Sequence, residues 1–172
     1  MTLFFTSDHH FGHGGARGLF RRPYASTDAM DQAMIEIWNA TIAPGDIVWY
    51  LGDLAIRHNQ SRTEGLLQAL NGEKHLVWGN NDPQSTRDAA GWRSVAGLVE
   101  ITVGDTLLVL CHYPLRSWRD QSKGSWNLHG HSHGKLKPVP RQVDVGVDVW
   151  NFRPCTFDEL RNRRERGPGQ KG

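Results

Sequence analysis

The sequence predicts a layered α/β fold, and three observations carry that prediction. Strand and helix signals alternate through the first half of the chain, and each strand candidate stops in a polar turn containing glycine. One of them, Ile47-Val48-Trp49-Tyr50-Leu51, is a nearly continuous apolar run, as expected of a strand covered on both faces. In folds of this kind ligands bind beyond the carboxyl ends of the strands.

Taken in order, Leu3 to Phe5 is a short apolar run that reads as the first strand and ends in Thr6-Ser7-Asp8-His9-His10-Phe11-Gly12-His13. A loop rich in Gly and Arg follows, from Gly14 to Tyr24. Ser26 or Thr27 then caps a helix whose apolar positions Met30, Ala33, Met34, Ile37 and Trp38 keep helical spacing, with Pro44-Gly45 as its stop. The strand at 47–51 ends in Gly52-Asp53. Ser61 and Glu64 have the spacing of a capping box for a second helix through Leu66, Leu67 and Leu70, closed by Asn71-Gly72. His75 to Trp78 is the third strand, ending in Gly79-Asn80-Asn81-Asp82, and Ser85 to Arg93 is a short helix candidate. Leu98 to Val103 and Thr106 to Cys111 form a hairpin about Gly104-Asp105, ending in His112-Tyr113-Pro114. A basic, aromatic loop with Arg116, Trp118, Arg119, Lys123 and Trp126 leads through Asn127-Leu128-His129 into Gly130-His131-Ser132-His133. The last strand expected is Val143 to Val149, and Thr156 with Glu159 caps a closing helix. Residues 1–160 are expected to be one domain and 161–172 a basic, frayed tail.

The chain of 172 residues is 38% hydrophobic and 22% charged with seven Trp, which suits a globular fold and argues against disorder. A formal charge of +2 is too small to imply nucleic-acid binding. No apolar run approaches a membrane span, and no basic segment precedes the first strand, so a cytoplasmic protein without a signal peptide is expected. The two cysteines, Cys111 and Cys155, form no Cys-x-x-Cys pair and read as buried reduced thiols. Nine His beside so few Cys is a hydrolytic metal set rather than a structural zinc set.

Collecting the residues just past the predicted strands gives Asp8, His10, Asp53, Asn80, His112, His131 and His133, each a metal-competent side chain. Asp8 and His10 stand two apart, as do His131 and His133, and in an extended backbone such pairs point the same way. Seven converging ligands are too many for one cation. A carboxylate such as Asp53 can bridge two, so a dinuclear site is the economical reading. Arg17, Arg21 and Arg22 lie beside this site and are candidates to hold phosphate, against the plainer reading of a solvated loop. Trp118 and Trp126 could stack a nucleobase with Arg116 or Arg119 on phosphate, against the plainer reading of core packing. His9 alternates away from the site, His58 and His75 read as solvent positions, and His129 as a support for its neighbours.

Asp8-x-His10, Gly52-Asp53, Gly79-Asn80-x-Asp82, His112 and Gly130-His131-x-His133 resemble, in order, the five motif blocks of the calcineurin-like metallophosphoesterase superfamily. Asp8 through Gly12-His13, Arg22-Pro23-Tyr24, Gly52-Asp53-Leu54 and Val145-Gly146-Val147-Asp148 look like a group of small single-domain bacterial and phage members. The resemblance implies a four-layer α/β/β/α sandwich of two mixed sheets flanked by helices, with Asp8, His10 and His133 on one metal, Asn80, His112 and His131 on the other, and Asp53 bridging. It implies two divalent ions, Mn first with Fe, Zn, Ni or Co as alternatives, that activate water for attack on phosphorus. The family usually has His after the Asn of the third block. Here Asn81 stands in that catalytic position, and an amide cannot transfer a proton at neutral pH. His13, three residues past His10, is the candidate substitute. The expected activity is a phosphodiesterase on a nucleotide or another small phosphoester, with a phosphomonoesterase, a nuclease or a non-catalytic metal-binding scaffold as alternatives and Arg17, Arg22 and Arg116 as substrate-binding candidates. Nucleic acid stays open as a partner but is not indicated, no membrane partner is expected, and the oligomeric state is not readable.

Overall fold

Leu3–Thr6 forms β1, and the period of two along it sends Phe4 into one core and Phe5 into another. The computed structural model describes residues 1–165. After β1 come α1 (Ala16–Leu19), α2 (Thr27–Thr41), β2 (Ile47–Tyr50), α3 (Gln60–Ala69), β3 (Glu73–Val77), α4 (Gln84–Arg87) and β4 (Trp92–Ala96). The second half holds β5 (Leu98–Val103), β6 (Thr106–Cys111), β7 (Trp126–His129), β8 (Gln142–Asp144), β9 (Cys155–Thr156) and α5 (Phe157–Glu165).

These strands make two mixed sheets flanked by helices, an α/β sandwich. The first has the order β4-β3-β2-β1-β9, parallel except for β9, and the second β5-β6-β7-β8, with only β5 antiparallel. Met30, Met34 and Trp38 of α2 and Leu67 of α3 pack with Val48, Tyr50 and Leu76 on one face of the first sheet. Phe5 and Val77 on its other face meet Leu108, Leu110 and Leu128 of the second sheet, where α5 adds Phe157 and Leu160. Each such side chain contributes about 1.5–3 kcal/mol relative to exposure. The register places Thr6 beside Tyr50 and Tyr50 beside Leu76, so the loops after β1, β2 and β3 leave the sheet at one level. The two sheets meet at that level, where Ser7 pairs with Gly146 just past β8.

Several boundaries differ from the expectations. Asn59 caps α3, its side chain accepting from the Arg62 N–H at 2.9 Å, while Glu64 accepts from the Ala90 N–H, so there is no capping box at Ser61. The helix expected over 85–93 stops at Arg87, and the chain turns through Gly91 at φ +117° into β4. β8 ends at Asp144, whose Oδ1 accepts the Gly146 N–H at 2.7 Å and folds the next residues into a 3₁₀ turn, Val147–Val149. The loop before β7 is tied to the second sheet: the Leu115 N–H donates to Asn127 Oδ1, and the Leu115 carbonyl accepts from Gln142. Cys111 and Cys155 are free and buried, and Thr156 and Glu159 form the expected capping box. Of the tail expected from residue 161, the first five residues continue α5 and 166–172 lie outside the described residues. No helix among the described residues is long and apolar enough to cross a membrane.

Candidate metal centre

Five of the seven strand-end residues sit in the left-handed region: Asp8 at φ 61°, His10 at 54°, Asp53 at 60°, His131 at 65° and His133 at 47°. Each costs on the order of 1–3 kcal/mol and persists only where surrounding contacts over-determine it. The extended backbone expected from Asp8 to His10 is therefore replaced by turns. They are held by the Asp8 N–H on the Gly52 carbonyl at 3.0 Å and the His10 N–H on the Asp53 carbonyl at 3.1 Å. The two side chains still converge. His9 between them turns into the core, stacked on Phe11 with its Nδ1 3.0 Å from the Tyr50 hydroxyl.

Asp8, His10 and His133 offer ligand atoms that all lie within 4.8 Å of one another, and so do Asp8, Asp53 and His112. The Asp53 carboxylate spans the two groups, Oδ2 lying 3.6 Å from His10 Nε2 and Oδ1 3.6 Å from His112 Nε2. Asp8 Oδ1 is 3.9 Å from Nε2 of both His10 and His133. Asn80 joins through its Oδ1, 3.1 Å from His112 Nε2. His131, at the exposed rim, sets its ring 5.2 Å from that of His112 and donates its backbone N–H to Asp8. All seven expected residues are thus gathered at one place.

Hydrogen bonds on the far side of the rings fix their orientation. His112 Nδ1 donates to the Leu51 carbonyl at 2.7 Å and His133 Nδ1 to Asp148 Oδ2 at 2.7 Å, leaving each Nε2 lone pair facing inward. Buried Asp82 accepts the backbone N–H of Asp53, Leu54 and Gly79, joining the loops after β2 and β3. Ser7 donates to Asp8 at 2.6 Å. A side chain at Gly52 (φ +91°) would meet the Gly79 nitrogen and His112 Nδ1 at 2.6 Å, and one at Gly130 would strike Asp8 and Ser7, so the loops approach as closely as glycine permits.

The donor set fits divalent cations. Neither ring nitrogen of buried His10 has a hydrogen-bond partner among the described residues, and burial pushes the ring down to a pKa of about 3, the neutral form a metal takes. With Nδ1 as its donor, His112 Nε2 is an acceptor facing the acceptor oxygen of Asn80, a pairing that a shared cation satisfies. Burial raises the Asp8 carboxyl well above its usual range, and the charges of Asp144 and Asp53 add to the effect.

The remaining expectations fare differently. Arg22 does not offer its guanidinium to a substrate: it is 3% exposed, paired with Asp148 and bonded to main-chain carbonyls. Arg17 Nη1 is bound to the carbonyls of Tyr24 and Ala25, and Arg116 is exposed. Asn81 is half-buried and bound to the candidate ligand Asp53, its Nδ2 on Oδ2 at 2.6 Å and its N–H on Oδ1 at 2.8 Å. His13 lies with its ring 5.6 Å from that of His10, and burial first, then the charges of Arg22 and Arg57, lower its pKa. Trp118 is buried with Nε1 on the Ser125 carbonyl, and Trp126 packs edge-on against Phe157, so both are core residues. His75 is not a solvent position: it is largely covered and stacks on Trp49. Sequence reasoning misses Tyr113, 41% exposed with its ring 4.9 Å from that of His131, and Phe20, stacked 3.6 Å from His133. It also gives no role to Asp148 beyond its place in a resembling motif.

No protein-family model matches the chain. The uncharacterized protein MJ1445 of Methanocaldococcus jannaschii is 28% identical over 173 residues, 96% of this chain and 92% of its own. The gene 66 protein of Mycobacterium phage D29 is 29% identical over 191 residues, 93% of this chain and 94% of its own. The crystal structure of AQ665 from Aquifex aeolicus, a protein of unknown function, superposes with a TM-score of 0.76 at 18% identity, covering 94% of this chain and 98% of that one. The chain shares its fold with AQ665, and its chemistry has to be read from the side chains gathered at the junction of the sheets.

Proposed function

We propose that this chain is a metal-dependent phosphoester hydrolase, acting as a phosphodiesterase on a nucleotide or similar small phosphoester. The observation that carries the reading is the Asp53 carboxylate, one oxygen turned to His10 and the other to His112 at 3.6 Å each. Asp8, His10 and His133 would hold one divalent cation, Mn²⁺ first among those such ligands accept, and Asn80, His112 and His131 a second, with Asp53 common to both. Bound there, the pair supplies Lewis acidity to phosphoryl oxygens and brings the pKa of a water from 15.7 toward about 7. The resemblance of the five motif blocks to metallophosphoesterases supports the same reading.

The chain's own residues narrow the substrate. Asn81 holds both oxygens of Asp53 and has no proton to give. Burial lowers the His13 pKa, which disfavours the protonated ring that a general acid needs. A leaving group here departs without strong protonation, which favours aryl and other activated leaving groups over simple alkoxides. Exposed Tyr113 beside His131 offers such a group an aromatic surface.

The test is turnover of a bis(aryl) phosphate and a mono(aryl) phosphate with Mn²⁺. The diester is expected to be the better substrate, and Asp53→Asn to lower its turnover by more than about 100-fold, beyond the usual loss from changing a residue that merely supports a ligand. Turnover persisting near its original rate in Asp53→Asn, or after rigorous metal removal, overturns the proposal.

A further inference from the structure

The two halves of the centre meet at Asp8, which accepts the His131 N–H, and the half formed by Asp8, His10 and His133 hangs on a single buried arginine. Arg22 Nη2 donates to the carbonyl of Asp8 and Nη1 to that of His9, both at 2.6 Å. Its Nε and Nη2 also take the two oxygens of Asp148, each at 2.9 Å, and Asp148 in turn accepts from His133 Nδ1. One planar fork therefore grips the left-handed turn that carries Asp8 and His10, and through Asp148 it aims the ring of His133. None of the bonds holding the other half involves it. Asp53 rests on Asn81 and Asp82, and His112 on the Leu51 carbonyl.

We propose that Arg22 is the positioning residue that sets the cation affinity of the Asp8, His10 and His133 half of the centre, and of that half alone. This rests on the two-cation reading above. The geometry requires arginine: four bonds to oxygens of three groups in fixed directions suit a guanidinium, whereas a lysine ammonium is a compact charge with three donors. Loss of the fork would leave two buried carbonyls without donors in a turn that is already strained, so the turn should relax and Asp8 and His10 should lose their common focus. A purely structural role would lower stability and weaken both halves together.

The experiment is a calorimetric titration of the metal-stripped full chain with Mn²⁺, in which His133→Ala and Asn80→Ala mark the binding event that belongs to each half. Arg22→Lys and Asp148→Asn are each expected to weaken the event lost in His133→Ala by about 10- to 100-fold, the usual effect of removing a residue that orients a ligand. The event lost in Asn80→Ala should stay in place. Combining the two changes should weaken binding little beyond either alone, because they interrupt one relay. Asp148→Asn is isosteric and guards against failure of the arginine variant to fold, which a circular dichroism melt reports. Equal weakening of both events, movement of the Asn80 event alone, or no change overturns the proposal. Absence of Mn²⁺ uptake by the unaltered chain overturns this proposal and the two-cation reading together, whereas selective weakening without phosphoester turnover overturns only the proposed activity.

Discussion

Asp82 supplies no ligand atom, yet three backbone N–H groups end on its buried carboxylate: Asp53 at 2.7 Å, Gly79 at 2.8 Å and Leu54 at 3.0 Å. Each donor left unpaired in the interior costs about 1–3 kcal/mol, so Asp82→Ala is expected to lower stability by about 3 kcal/mol or more in urea unfolding. Asp82→Asn, which keeps one acceptor oxygen, should lose less, and a loss under about 1 kcal/mol for the alanine variant would show that water reaches these groups. Single residues are legible in the sequence when their role follows from their place. The seven metal candidates stand out because each comes just after a strand. Arg22 misleads for the converse reason. An arginine in a Gly-rich loop looks like a phosphate clamp, and what buries it is Asp148, 126 positions away, which no local pattern announces.

At the scale of elements, segments with a clear hydrophobic period are readable, and segments placed by their neighbours are not. The hairpin of β5 and β6 pairs Leu98 with Cys111 and Val103 with Thr106, matching the expected bounds. β4 resembles the end of a helix in sequence because it is an edge strand, mostly exposed, and shows no alternation of burial to reveal a strand. The short turn Val147–Val149 resembles a strand because its apolar residues alternate with Asp148. Beyond its own backbone bonds, that turn is tied to the rest of the site by the charge of Asp148. Burial alone would raise the Asp148 carboxyl, but hydrogen bonds from His133 and Arg22 and the charge of Arg22 outweigh it and hold the pKa at about 2, below the ordinary 3.8. A folded-state pKa below the unfolded one means stabilisation that is complete above about pH 4 and is lost as pH falls toward 2. The metal-free chain should therefore exceed Asp148→Asn in stability by about 2 kcal/mol at pH 6, since each tenfold change in proton affinity corresponds to about 1.36 kcal/mol. The gap should be roughly halved at pH 3. Equal gaps at both values would show that the carboxylate charge does not hold the turn.

At the scale of the whole molecule, the centre lies where two sheets with separate hydrogen-bond ladders meet. The loops after β1, β2 and β3 bring Asp8, His10, Asp53 and Asn80 from the first sheet, and those after β6 and β7 bring His112, His131 and His133 from the second. Without a cation that junction gathers the buried carboxylates of Asp8 and Asp53, residues in left-handed backbone, and a His112 ring nitrogen facing the side-chain oxygen of Asn80. Cations held there would tie the sheets together, and because the unfolded chain cannot present seven such groups at once, binding should appear as stability. At a free Mn²⁺ concentration 100 times the dissociation constant the gain is about 2.7 kcal/mol. For a chain of this size that corresponds to a rise in Tm of about 5–10 °C. Asp53→Asn removes the group that faces both halves and should abolish most of the rise. A melting temperature indifferent to Mn²⁺ in the unaltered chain would mean that the sheets are joined as firmly by the apolar core and the Ser7–Gly146 pairing alone, and the strand ends would then have to be explained without a metal.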